Sequence, residues 1–216
     1  MKVVEIFKSI DGEGKRAGLP TTFIRLYGCN LNCSYCDTRY GCENDNYIVM
    51  SIKRILDRVK DLDCQSITIT GGEPLIHPGI EKLINALYKA GYWINVETNG
   101  TQNIFPYRSN YRSGRLFFTV DYKCPSSGMT EKMNCNFEYL NEDDVLKFVV
   151  GSQDDMVSAL EFLEAHNIKT NVYFSPVFGK IEPVQIVDFL IENKLNDCKV
   201  QLQLHKIIWN PEERGV

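Results

Sequence analysis

Two alternating hydrophobic periods constrain this chain more than any other feature. Short runs rich in β-branched and aromatic residues recur at 3–7, 22–27, 66–70, 93–97, 116–120, 145–150, 171–174 and 199–204, each of strand length. Helical patterns fall between several of them: 52–62 behind a Ser51 cap, 80–90 after Pro78, 156–166 behind Asp154 or Asp155, and 184–193 after Pro183. Strand, helix, strand predicts a parallel sheet, and right-handed crossovers give either an open doubly wound sheet or a (β/α) barrel. The connections 98–115 and 121–144 carry Gly, Pro, Asn and Ser without a clean helical period. A full eightfold barrel takes about 250 residues. This chain has 216, so the expected class is α/β, a partial barrel of parallel strands with some helices missing. No repeat, low-complexity tract or linker divides it, and one domain over 1–216 is expected.

No stretch is apolar for the length a membrane span needs, and the N-terminal residues turn polar and acidic too soon for a signal peptide, so a cytoplasmic protein is expected. In that reducing compartment its eight cysteines read as thiols or metal ligands rather than disulfides. The balance of 24 basic against 28 acidic side chains, with no basic run, speaks against a nucleic-acid partner.

Both architectures put chemistry at the C-terminal ends of the strands. Six segments fall there: the loop after Tyr27, TGGEP at 70–74, ETNG at 97–100, VDYK at 120–123, FSPVFG at 174–179 and QLHK at 203–206. The first holds Cys29, Cys33 and Cys36, spaced three and then two residues apart. Three thiolates grip an iron–sulfur cube while leaving one iron for an outside ligand. The alternative is a zinc knuckle that borrows Cys42 or His77, although such sites normally pair two knuckles. The remaining cysteines, Cys42, Cys64, Cys124, Cys135 and Cys198, are scattered and read as buried or loop thiols. In GGEP, Gly71 and Gly72 would let a ligand approach the backbone, and Glu73 would accept from an ammonium group.

The cysteine spacing and GGEP together resemble the radical S-adenosylmethionine (SAM) superfamily, whose open iron chelates SAM. The blocks IFKSIDGEGKRAGLPTTFIRLYGCNLNCSYCDT and QLQLHKIIWNPEERGV resemble the two ends of the 7-carboxy-7-deazaguanine synthases, so the likeness covers nearly the whole chain. That resemblance implies a partial barrel of the radical SAM type and a lyase in 7-deazapurine (queuosine precursor) biosynthesis. Such a lyase converts 6-carboxy-5,6,7,8-tetrahydropterin to 7-carboxy-7-deazaguanine with loss of ammonia. It implies a 4Fe–4S cluster on Cys29, Cys33 and Cys36, SAM, and Mg²⁺ with Thr38 as a ligand. It further implies an electron donor such as flavodoxin or ferredoxin, and a barrel missing strands leaves apolar surface that pairs subunits, so a homodimer is expected.

Residue by residue, the resemblance assigns Asp11, Gly12, Glu13, Arg25, Thr70 and Val216 to the pterin. It assigns Cys36, Asp37, Gly72, Glu73, Asp121, Tyr122, Lys123, Ser175, Pro176, Val177 and Phe178 to SAM. Many members have Gln where this chain has Asp11. Arg25 has its own argument: it interrupts an apolar strand on the face of Phe23 and Tyr27, where a guanidinium is costly unless something such as a substrate carboxylate pairs it. Charge matching points Lys123 at the SAM carboxylate and Asp121 at a ribose hydroxyl, while His205 has no role that sequence fixes. A radical SAM activase of a protein partner would share the cysteines and GGEP without needing the 11–13 loop or Arg25. A zinc-binding interaction module is the non-catalytic alternative.

Overall fold

A computed structural model of the chain describes residues 1–111, 114–133 and 137–216; Cys135 lies outside them. Among the described residues nine strands form one sheet: β1 Lys2–Ile10, β2 Pro20–Leu26, β3 Ile48–Val49, β4 Ser66–Gly71, β5 Trp93–Thr98, β6 Leu116–Lys123, β7 Val145–Val150, β8 Asn171–Pro176 and β9 Cys198–Val200. Their order is β3-β1-β2-β4-β5-β6-β7-β8-β9. From β2 to β9 every neighbouring pair is parallel, the open sheet of a partial barrel. The crossovers carry α1 Ile52–Asp61, α2 Ile80–Lys89, α3 Phe105–Asn110, α4 Gln153–Ala165 and α5 Pro183–Glu192, and α6 Leu204–Ile208 follows β9.

The parallel expectation fails at one edge, where β1 runs antiparallel to β2 and to β3. Only residues 11–19 join β1 to β2, too few for a crossover, so the chain must reverse. The run 199–204 is strand only to Val200 and then turns into α6. Helix α3 begins inside a connection that lacked a helical period, with a proline in its first turn, where the missing N–H costs nothing. Helix α4 is capped by Ser152, whose hydroxyl accepts the Asp155 N–H at 3.3 Å, rather than by Asp154 or Asp155.

Strand alternation divides the sheet. Ile67, Ile69, Ile94, Val96, Phe118, Val120, Leu146, Phe148 and Phe174 are fully buried among the helices. They join Ile55 and Val59 of α1, Leu83 and Leu87 of α2, Met156 of α4 and Ile186 of α5 in one apolar cluster. Each such side chain contributes roughly 1.5–3 kcal/mol of burial. The alternate positions, Arg25, Thr68, Thr70, Asn95, Glu97, Thr119, Asp121, Lys147 and Ser175, are polar and face the inner side, where they bond to one another and to the loop after β1. Among the described residues no helix is long and apolar enough to cross a membrane.

Candidate active site

Beyond β2 the chain enters the cysteine loop through Gly28, at φ +98°. The turn closes with the Cys36 N–H donating to the Cys33 carbonyl at 3.3 Å, and Arg39 Nη2 donates to that same carbonyl at 3.0 Å. Ser34 ties the loop to the segment after β6, donating to the Ser126 carbonyl at 2.6 Å. The Leu31 N–H and Asn99 Nδ2 point at Cys29 Sγ, at 3.4 and 3.6 Å. Cys29 also shares a thiol hydrogen bond with Cys42, the main reason its pKa falls to about 6, while burial pushes Cys33 up. Cys42 is therefore a neighbour of the cluster loop, not a distant thiol.

The glycines of TGGEP serve this loop. A Cβ on Gly71 would stand 2.1 Å from the Leu26 carbonyl oxygen, and one on Gly72 would stand 2.3 Å from that of Gly28. Their absent side chains let the two strand-end loops touch. Glu73, expected to accept from an ammonium group, already has donors within the protein. It is fully buried, and it accepts from the Leu75 N–H at 2.9 Å, Thr98 Oγ1 at 2.8 Å and the Asn99 N–H at 2.6 Å. It pins the β4 loop to the β5 loop, and burial lifts its pKa to about 7.

The inner face carries a network of charged side chains. Arg25 donates through Nε to Glu5 at 2.7 Å, and Tyr40 donates to that same Glu5 oxygen at 3.0 Å. Burial works against the Arg25 charge, but Tyr40, Glu5 and Glu97 outweigh it and raise the pKa. Thr70 donates to Glu97 at 2.8 Å. Asp11 is buried, accepts from Thr68 at 2.7 Å on Oδ1 and has no partner on Oδ2, and burial raises its pKa to about 7. Glu13 takes Lys147 at 3.0 Å on one oxygen and Ser175 at 3.0 Å on the other. Asp121 is bound by Lys123 at 2.8 Å and Lys147 at 3.1 Å.

The remaining expected residues divide. Tyr122 turns its ring to the helix side, against Phe137, Phe148 and Phe162, because it is one alternation step from Asp121, so only its backbone faces the inner side. Pro176 at the end of β8 and Val177 just after it are buried, and Phe178 is exposed. Asp37 pairs with Lys206 of α6 at 2.9 Å; burial would raise its pKa, but Lys206 pulls it down. Thr38 stands where it would cap the turn 39–41 but makes no side-chain cap bond; its hydroxyl lies 3.9 Å from Cys36 Sγ. The His205 ring covers Gly12, where a Cβ would stand 2.1 Å from Nδ1. Val216 is half-buried, and Arg214 lies 4.0 Å over the Tyr40 ring.

Sequence reasoning gave no role to Glu5, Glu97, Asn99, Lys147 or Lys206. The signal for Lys147 was present, since it breaks the apolar run of β7 as Arg25 breaks that of β2. Among the described residues no three His, Cys, Asp or Glu converge on a single ion, as a zinc knuckle requires. The thiolates of an iron–sulfur cube stand further apart, on separate metals, and a three-cysteine loop ringed by N–H donors suits one.

Comparison with known proteins decides between the remaining readings. The radical SAM superfamily profile matches residues 23–108. The chain is 47% identical to the 7-carboxy-7-deazaguanine synthase of Clostridium acetobutylicum, covering 100% of this chain and 99% of that one. It belongs to the 7-carboxy-7-deazaguanine synthase family. Another synthase, from Chlorobaculum tepidum, is 39% identical over 100% of this chain and 97% of its own. The crystal structure of QueE from Escherichia coli has the same fold, with TM-score 0.69 at 22% identity over 94% of this chain and 93% of that one. As a member of this radical SAM family the chain is an enzyme whose cofactors are a 4Fe–4S cluster and SAM. Cys29, Cys33 and Cys36 are the residues that fit the cluster.

Proposed function

We propose that the chain converts 6-carboxy-5,6,7,8-tetrahydropterin to 7-carboxy-7-deazaguanine with loss of ammonia, in a single domain over 1–216. Family membership supports the reaction, and the observation that carries it to these residues is a three-cysteine loop abutting the charged inner face that holds Arg25. Cys29, Cys33 and Cys36 would hold the cluster, which together with SAM would supply the one-electron chemistry for hydrogen abstraction. The chain's own part is to bind, orient and exclude water. Glu5 occupies Arg25 Nε, so the terminal nitrogens are left as donors for the substrate carboxylate. Thr70 lies on the same face, and the 11–13 loop packs against it. Toward SAM, Lys123 would meet the carboxylate and Asp121 a ribose hydroxyl, with the backbone of Gly72 and of 175–178 alongside.

Thr38 is proposed as the protein ligand of Mg²⁺. Its hydroxyl makes no cap bond, and Mg²⁺ takes few protein oxygens, drawing the rest from water and an anionic substrate. Chelating Mg²⁺ should slow turnover without reducing SAM binding; unchanged turnover would return Thr38 to a turn residue. The exposed Val184, Val187 and Ile191 of α5, beside the open β9 edge, support a homodimer. The reading also expects a cytoplasmic enzyme served by a flavodoxin- or ferredoxin-like electron donor, with no nucleic acid or membrane as partner.

Anaerobic incubation with dithionite, SAM and the pterin, followed by mass spectrometry, tests the reaction. Formation of 7-carboxy-7-deazaguanine is expected. SAM cleavage with the pterin recovered unchanged would overturn the substrate.

A further inference from the structure

Lys147 has no part in the roles above, yet it is a buried ammonium at the centre of the inner face. It is 5% exposed and stands opposite Asp121 in the β6 and β7 register. Its ammonium bridges two carboxylates, Glu13 at 3.0 Å and Asp121 at 3.1 Å, and Glu97 adds attraction from nearby. A buried ion network contributes less stability than apolar packing of the same volume, so its use here calls for a reason beyond stability. The topology supplies one. Glu13 lies in the loop after β1, which the proposed function gives to the substrate, and Ser175 of β8 holds its other oxygen at 3.0 Å. Asp121 lies on β6, given to SAM, and Lys123 holds its other oxygen at 2.8 Å. One ammonium therefore joins two segments that are 108 residues apart in sequence and serve different molecules.

We propose that Lys147 is a positioning residue that fixes the substrate loop, through Glu13, against the SAM segment, through Asp121, so that SAM cleavage stays coupled to hydrogen abstraction from the pterin. Ammonium has three donors and suits a bridge between carboxylates on different strands. The proposal rests on the function proposed above.

The test compares wild type, Lys147→Met and Lys147→Arg, each loaded with cluster, at saturating SAM and pterin with dithionite. The readout is the ratio of 5′-deoxyadenosine to 7-carboxy-7-deazaguanine. Displacement by about 1 Å can cost on the order of a hundredfold in a positioned reaction. Lys147→Met should therefore lower product formation steeply and raise the ratio, with iron content and SAM affinity kept, and Lys147→Arg should recover part of the coupling. An unchanged ratio in Lys147→Met would overturn the proposal. If Lys147→Met does not fold, Lys147→Gln keeps a neutral donor toward both carboxylates. A raised ratio in that folded variant supports the bridge, and wild-type coupling rejects it. A wild type that cleaves SAM but makes no deazapurine would instead count against the proposed function.

Discussion

On the helix side of β4, Ile67 and Ile69 are fully buried among apolar neighbours; on the inner side of the same strand, Thr68 and Thr70 turn their hydroxyls to Asp11 and Glu97. The contrast repeats on β6, where Phe118 and Val120 pack outward and Asp121 meets two lysines inward, and on β7, where Leu146 and Phe148 flank Lys147. Each strand thus carries two instructions in alternate letters. One face is held by non-directional burial and tolerates any residue of the right volume. The other is held by directional, charge-assisted bonds, each needing a particular partner. Stability and chemistry should therefore respond to different substitutions.

The largest effect falls on the cluster loop. Replacing Cys29, Cys33 or Cys36 by Ala should strip the iron and abolish SAM cleavage, while Cys42→Ala, beside Cys29, should retain both; iron analysis after anaerobic reconstitution checks this. Four irons per chain in the triple variant would refute the ligand set. Next comes the helix face. Phe148 packs against Tyr122, Phe162 and Phe174, and Phe148→Ala should cost about 3–5 kcal/mol in denaturant unfolding. The fraction still folded should keep wild-type KM for the pterin, and a large rise in KM would break the division between faces.

A smaller effect is pH-dependent. Burial raises the Asp11 and Glu73 carboxyls from ordinary values of 3.8 and 4.5 to about 7. The folded state then binds more protons than the unfolded chain between those limits, so both residues make stability fall as pH rises from about 4 to 7. Asp11→Asn with Glu73→Gln should flatten that slope relative to wild type, as measured by urea unfolding at several pH values. A parallel slope in the variant would show that the two carboxyls do not titrate in this window.

The same contrast explains what sequence could show. Burial of Ile, Val and Phe is periodic, so eight of the nine strands, the last only in part, and four helices were legible, as were the cysteine loop and the strand-end segments. The β3 strand was not, being two residues long on an edge. Nor was the direction of β1, which depends on the shortness of a connection rather than on any pattern within the strand. The inner face was legible only where a charge interrupted an apolar run. Arg25 was recognised that way, but its partner Glu5 was not, because a glutamate near a chain end looks like solvated surface until the register sets it opposite Arg25. The surroundings of Glu73 were not legible for the converse reason: spacing shows that a carboxylate is present, not that three neighbouring donors bind it.

The central claim is that the inner face binds a carboxylated substrate without carrying the fold, and Arg25→Gln tests it most directly. Calorimetric titration of the pterin into the SAM-loaded enzyme should show binding weakened by roughly 2–5 kcal/mol, as expected when one partner of a buried charge pair is truncated. Iron content and SAM affinity should stay at wild-type values, and the variant should remain folded, with an unfolding midpoint lowered only by the loss of the Glu5 pair. Unchanged pterin affinity in a folded, cluster-loaded Arg25→Gln would contradict the account.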